Sequence, residues 1–244
     1  MEQMRFARHE TKYIVTAEQK ALIEEILKTR MQQDRHGRST IQSLYYDTPD
    51  FRLIRRSIEH PLYKEKIRIR SYGPAGSGDK VFLELKKKYR KVVYKRRMTL
   101  TAEQAAAFMA GSLVAAPEIS STYCERQIAR EIAYARDYYK TLQPAMLISY
   151  EREAWQGCED PGLRVTFDSN ILWRDFDLTL ASGGYGQPIM NHCAHVMEIK
   201  TSSGIPLWLT EILDQERIYK TSFSKYGKAF AQKASEIMEM RRSA

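Results

Sequence analysis

The sequence predicts an α+β fold in a single domain spanning residues 1–244. Antiparallel strands form two groups, separated by a helical insertion and closed by C-terminal helices. Three observations carry this expectation. Strand-like runs with period-two alternation recur along the chain. Two Thr-x-x-Gln capping boxes, at Thr16–Gln19 and Thr101–Gln104, mark helix starts immediately before apolar stretches. No Pro/Gly/Ser-rich stretch is long enough to act as a linker between independent domains.

The elements follow in order. The first box, with Leu22, Ile23, Ile26 and Leu27 at helical spacing, predicts a helix over 17–30. Ile41–Tyr46 is apolar and aromatic and reads as a strand. Thr48-Pro49 places proline at the first position of a short helix reaching about Ile58. Tyr63–Tyr72, Lys80–Lys88 and Val92–Leu100 read as three strands, with turns at Gly73–Gly78 and Lys88–Lys91. The second box opens a helix ending near Gly111, and a longer helix follows over about 119–141. Strands resume at Ala145–Ala154, Leu163–Asp168, Leu172–Leu180 and Ala194–Thr201. Leu207 to about Met240 is helical, with a break near Thr221–Gly227.

Composition narrows the function classes. The 244 residues carry 39 Lys+Arg against 30 Asp+Glu, a net charge of +9. With 43% hydrophobic residues the chain is globular in composition and not disordered. Its apolar runs, such as Pro144–Ile148, fall far short of the ~20 residues of a membrane helix. Met1–His9 lacks the apolar core of a secretory signal. Cys124, Cys158 and Cys193 are too few and too dispersed for a disulfide framework or a zinc ribbon, so a reducing, cytoplasmic setting is expected. The positive excess points to an anionic partner without naming it.

Parity is more informative than the count. Successive strand residues point to opposite faces. Lys66, Arg68 and Arg70 therefore share one face, opposite Ile67 and Ile69. Glu84 and Lys86 oppose Leu83 and Leu85, and Lys95 aligns with Arg97. Arg152 aligns with Tyr150; Arg164, Thr166 and Asp168 oppose Val165 and Phe167; Glu198 and Lys200 oppose Met197 and Ile199. An ordinary solvated sheet face would mix signs and include neutral polar residues. Here most of the charged positions are Lys or Arg, beside isolated carboxylates. If the strands curl into a barrel, these cations repel one another unless an anion neutralises them. A polyphosphate suits such a lumen, because Arg grips phosphate oxygens in a bidentate fork and Lys acts as a mobile point charge. Isolated Glu residues would hold a divalent metal.

Eight short motifs stand in a characteristic order: Glu10-Thr-Lys-Tyr13, Lys66-Ile-Arg-Ile-Arg70, Phe82-Leu-Glu-Leu-Lys86, Lys95-Arg-Arg97, Tyr150-Glu-Arg152, Arg164-Val-Thr-Phe-Asp168, Glu198-Ile-Lys200 and Ser224-Lys-Tyr226. In this order the chain resembles the triphosphate tunnel metalloenzymes, from about residue 5 to 230, and among them the VTC-type polyphosphate polymerase catalytic domains. The resemblance implies an antiparallel β-barrel enclosing a triphosphate tunnel. It implies a metal-dependent enzyme that transfers the γ-phosphate of ATP to inorganic polyphosphate and releases ADP. By resemblance Arg68, Arg70, Lys86, Arg152, Arg164 and Lys200 are catalytic, and Lys12, Lys66, Lys95, Arg97 and Lys225 bind phosphate. Glu198 would hold Mn²⁺ or Mg²⁺. Glu10 is a second metal ligand or the partner of a neighbouring cation. Hydrolytic relatives carry Glu-x-Glu-x-Lys at the first motif, whereas Lys12 stands at the second carboxylate position in this chain.

Other signals carry less. Gly73–Lys80 superficially resembles a P-loop, but Asp79 occupies the lysine position and no strand-to-helix context follows, so a hairpin loop is expected. Ser182–Gly186 reads as a flexible loop, and His192 with His195 makes an incomplete metal site. Of the basic run through Lys86–Lys88, Arg90 and Lys91, only Lys86 is selected by its alignment with Glu84; the rest reads as a turn and solvated face. Asp47 reads as a turn cap before Thr48-Pro49, and Asp168 as a supporting group or cap. Two alternatives stand beside the polymerase. One is a triphosphatase or nucleotidyl cyclase on the same fold. The other is a non-catalytic protein binding polyphosphate or RNA through Tyr-rich basic strands.

Overall fold

The computed structural model describes residues 9–59, 61–90, 92–112 and 122–243. Strand β1 (His9–Thr16) passes directly into helix α1 (Ala17–Arg30). The passage is abrupt because Thr16 Oγ1 accepts from Gln19 N (3.2 Å) while Gln19 Oε1 accepts from Thr16 N (3.0 Å), so two backbone donors are satisfied reciprocally. Strand β2 (Met31–Asp47) is longer than the expected Ile41–Tyr46. Its first ten residues are mostly polar and show no apolar alternation. They are strand because the sheet supplies hydrogen-bonding partners, which hydrophobic patterning does not report.

Helix α2 (Arg52–Ile58) starts at Arg52 and not at Pro49 as expected. Phe51 takes a left-handed φ of 58°, and Asp47 reaches back to cap the helix. Strands β3 (Tyr63–Tyr72), β4 (Lys80–Tyr89) and β5 (Val92–Thr101) pair antiparallel in sequence, close to the expected ranges. Helix α3 (Ala102–Met109) follows the second capping box. Helix α4 (Tyr123–Tyr139) opens on a third box, Thr122–Glu125; its expected start near 119 lies outside the described residues, as does Lys91.

Strand β6 (Gln143–Gly157) and strand β7 (Arg164–Arg174) come next. β7 joins two expected strands into one, and the expected run to Leu180 ends at Arg174. The cause is Arg174 itself. Its buried guanidinium donates to the carbonyls of Asp177, Thr179, Gly183 and Tyr185, folding residues 175–186 into a loop. Strand β8 (Gln187–Pro188), strand β9 (Ala194–Thr201), helix α5 (Leu207–Gln215), strand β10 (Lys220–Thr221) and helix α6 (Lys225–Ser243) complete the chain. The helical break thus covers 216–224, a little earlier than expected.

The strands form one sheet in the order β10-β1-β9-β7-β6-β2-β3-β4-β5, with β8 beside β7. The hydrogen-bonded path ends at β10 and β5, so the expected closed barrel is corrected to an open ten-stranded sheet among the described residues. The chain divides into two compact units. The first takes residues up to Thr40, Tyr150–Ile171 and Met190–Ser224; the second takes Ile41–Ser149, Leu172–Ile189 and the residues from Lys225. Each has its own core. In the first, Ile23 and Leu27 of α1 pack with Val165, Phe167, Met197 and Ile199. In the second, Ile67, Leu83 and Leu85 pack with Phe108 and Ile132. The expected parity therefore holds: one face of each of these strands is core.

Candidate functional site

The charged face is partly buried. Glu84, Asp168, Glu198 and Arg70 are all buried, together with Thr166. The expected site residues fall into two clusters, one in each unit.

In the second unit, strand register sets the cluster. Arg68, Glu84 and Arg97 lie opposite one another on β3, β4 and β5, and Lys66, Lys86 and Lys95 form the adjacent row. Glu84 is 1% exposed and is shared by four cations. Arg68 Nη2 lies 2.7 Å and Arg70 Nε 3.8 Å from its Oε2; Lys95 Nζ and Arg97 Nε each lie 2.8 Å from its Oε1. Burial would raise the Glu84 carboxyl, but Arg68, Arg70 and Lys95 outweigh it and hold the group far below the usual range. Glu84 thus stands as the shared counter-charge of these cations. Lys95 is pushed down to about 8 by burial, with Arg97 and Arg70 adding repulsion. Arg70 Nε has no hydrogen-bond partner, and neither does buried Ser43 Oγ, its register neighbour on β2.

Two tyrosines missed in the sequence support this cluster. Arg68 Nη1 donates to Tyr45 Oη at 3.0 Å, and Tyr45 stacks on Tyr226 with ring centroids 4.5 Å apart. Tyr226 Oη donates to Asp47 Oδ2 at 2.8 Å. Asp47 also accepts from the amides of Thr48, Leu53 and Ile54, so the expected cap is also a strut. Although burial opposes it, Arg68, Lys66 and Arg70 pull the Tyr45 phenol down to about 8. Parity could have found Tyr45, which lies opposite Arg68 on the same face. Lys225 precedes Tyr226 as the first residue of α6.

In the first unit, β1 and β9 pair so that Lys12 faces Glu198 and Glu10 faces Lys200. Lys12 Nζ lies 3.0 Å from Glu10 and 3.9 Å from Glu198, and Lys200 pairs with Glu198. Burial would lower the Lys12 ammonium, but Glu198 and Glu10 raise it. Burial would raise Glu198, but Lys200 and Lys12 hold it down. Arg152 forms a two-pronged pair with buried Asp168, Nε to Oδ1 at 2.6 Å and Nη2 to Oδ2 at 2.7 Å, and lies over the Tyr150 ring. Arg164 lies opposite Lys200 but is half exposed and pairs with Asp34 at 3.5 Å. Thr166 Oγ1, opposite Glu198, is buried without a hydrogen-bond partner.

Glu10 and Glu198 are the residues that could hold a divalent metal. Their carboxylates approach the same ammonium, and the orphaned Thr166 hydroxyl lies in register with one of them. This all-oxygen set fits Mg²⁺ or Mn²⁺, which take one or two carboxylates and complete their shell with phosphate oxygens. No group of three His, Cys, Asp or Glu side chains able to hold a metal exists among the described residues, His192 and His195 included. The Gly73–Lys80 segment is a hairpin loop, with Asp79 Oδ2 accepting from Gly76 N at 2.8 Å.

A family model described as the VTC domain matches residues 7–233. The chain belongs to the VTC domain family. A relative, vacuolar transporter chaperone complex subunit 4 of Trypanosoma brucei brucei, is 26% identical over 226 aligned positions, covering 79% of this chain. The VTC domain described here spans 28% of that relative's length. Two solved structures share the fold. One, a candidate adenylate cyclase from Bacillus halodurans, has a TM-score of 0.52 at 15% identity and covers 88% of this chain and 92% of its own. The other, a Hippeastrum candidate adenylyl cyclase reported to have a dominant triphosphatase activity, has a TM-score of 0.50 at 16% identity, covering 89% and 92%. The expected α+β triphosphate-tunnel fold class is borne out, with the sheet open. No helix among the described residues is long and apolar enough to cross a membrane.

Proposed function

We propose that this VTC domain is a polyphosphate polymerase that transfers the γ-phosphoryl group of ATP to the end of a polyphosphate chain and releases ADP. The observation that carries the reading is the Glu84 cluster: one buried carboxylate against four cations, with Arg70 Nε and Ser43 Oγ orphaned beside it. Four cations crowded on one buried carboxylate repel one another without a further anion, and unsatisfied buried donors cost ~1–3 kcal/mol each. A triphosphate supplies both the charge and the acceptors.

In this reading Arg68, Arg70, Lys95 and Arg97 grip the phosphates, and Lys66 and Lys86 extend the grip along the strands. Such guanidinium and ammonium groups offset the charge on the transferred group and keep the donor and acceptor oxygens in line. In the first unit Lys12, Arg152, Arg164 and Lys200 form a second set of cations able to take phosphate oxygens, and Lys225 adds positive charge in the second. Asp168 keeps Arg152 oriented. The acceptor is a terminal phosphate, already anionic near neutral pH, so no strong general base is needed. A Mn²⁺ or Mg²⁺ held by Glu198 and Glu10 would supply further neutralisation of phosphate charge. Lys12 supports synthesis over hydrolysis, because a cation stands where hydrolytic relatives place a carboxylate.

Purified protein incubated with ATP and Mn²⁺ is expected to yield ADP and long polyphosphate, resolved on a gel. Free phosphate without polymer would replace the polymerase with a triphosphatase. Arg70→Ala and Glu198→Ala are expected to reduce synthesis by at least ~10²-fold, the scale of losing a transition-state charge contact.

A further inference from the structure

The cation face does not end at Lys66, Lys86 and Lys95. One step further along the same strands, Lys64 faces Lys88. The two rows are about 7 Å apart, two residues along a strand. Neither contains a carboxylate: the three-lysine row is Lys66, Lys86 and Lys95, and the next is Lys64, Lys88 and Val93. Like charges directly opposite on neighbouring strands destabilise a sheet, so Lys64 facing Lys88 beside that row is poorly explained as packing. Burial lowers the Lys64 ammonium, and Lys88 lowers it further.

The aromatic residues decide the kind of anion. Tyr63, Tyr89 and Tyr94 lie at this end of the strands, but all three have the opposite parity, with Glu65, Lys87 and Arg96. A single-stranded nucleic acid needs rings beside the cations on which its bases can stack. These rows offer point charges without rings, which suits an inorganic polyanion.

We propose that Lys64 and Lys88 continue the phosphate site into a track for the distal phosphates of a linear polyphosphate. The inference rests on the polymerase reading and deepens it: the growing chain runs along the strand direction of β3 to β5, past the Lys66 row and toward the β4–β5 turn. Synthesis near Glu84 and retention of the product are then served by different lysines.

The test is titration calorimetry of the whole chain with tripolyphosphate and with long-chain sodium polyphosphate, for wild type, Lys88→Ser, Lys64→Ser/Lys88→Ser and the charge-keeping Lys88→Arg. Wild type is expected to bind the long chain more tightly. The double variant is expected to lose about tenfold for the long chain, the sum of two partly exposed charge pairs, and less than about twofold for tripolyphosphate. Its salt slope for the long chain should flatten by about two, and Lys88→Arg should restore most of the single variant's loss. The single Lys88→Ser variant guards against misfolding of the double variant, because Lys64 also donates to Ser57 O. Tripolyphosphate binding with an undiminished long-chain preference in both variants would overturn the track alone. A wild type that binds no tripolyphosphate would overturn the polymerase reading as well. Equal competition by a single-stranded oligonucleotide would overturn the choice of an inorganic polyanion.

Discussion

Glu84 carries the strongest single-residue consequence. It is the shared counter-charge of Arg68, Arg70, Lys95 and Arg97. Glu84→Gln keeps the shape and removes the charge, so ~3–5 kcal/mol of stability is expected to be lost, as when one partner of a buried pair is deleted. Tripolyphosphate should restore more stability to this variant than to wild type, which thermal unfolding with and without the ligand would measure. Lys95 gives a pH prediction. Its ammonium is pushed down to about 8, first by burial. A bound polyanion favours the protonated form, so binding above pH 8 must also take up a proton. Affinity for tripolyphosphate is therefore expected to fall as pH rises from 7 to 9. Tyr45, pulled down to about 8 against burial, acts in the same direction, because its phenolate would compete for Arg68. Lys95→Arg should keep tight binding and flatten part of this profile. Much of the site was legible at this scale: Arg68, Arg70 and Lys95 follow from alternation alone. The anchoring role of Glu84 was not, since a lone carboxylate in a strand reads equally as metal ligand or counter-ion until its neighbours are known.

At the scale of elements, local chemistry predicts starts better than ends. The Thr16 and Thr101 boxes are present as read, because each is closed within four residues. Thr101→Ala is expected to cost ~1 kcal/mol of unfolding free energy in denaturant titration, the usual value of a helix N-cap. The Arg174 loop is the opposite case. A strand pattern continues to Leu180, yet the chain turns because a buried guanidinium collects four carbonyls. Gly186 closes this loop at φ +141°, where an added Cβ would lie 2.2 Å from Trp173 O. Gly186→Ala is therefore expected to destabilise the fold by more than the ~1 kcal/mol ordinary for a glycine substitution, seen as a lower denaturant midpoint. The first half of β2 was illegible for a related reason: its residues are strand only because neighbouring strands pair with them.

For the molecule as a whole, the +9 charge becomes a ligand-binding prediction. Two clusters of cations gathered around buried carboxylates should make the fold more stable when an anion is bound. Tripolyphosphate at a hundredfold its Kd is expected to add ~2.7 kcal/mol, a rise of roughly 5–10 °C in Tm for a chain of this size. Orthophosphate at the same concentration should add much less, because it cannot reach successive rows of cations. An equal rise with both anions would reduce the effect to general charge screening. The sequence by itself determined the α+β class, the helix starts, which strand residues face the core and which cations share the other face, because period two and capping chemistry are local. Only the tertiary structure decided that the sheet path stays open among the described residues, that four cations share the buried Glu84, and that Tyr45, Tyr226 and Asp47 brace Arg68. Those outcomes depend on register between strands distant in sequence, where a shift of one residue would exchange every face.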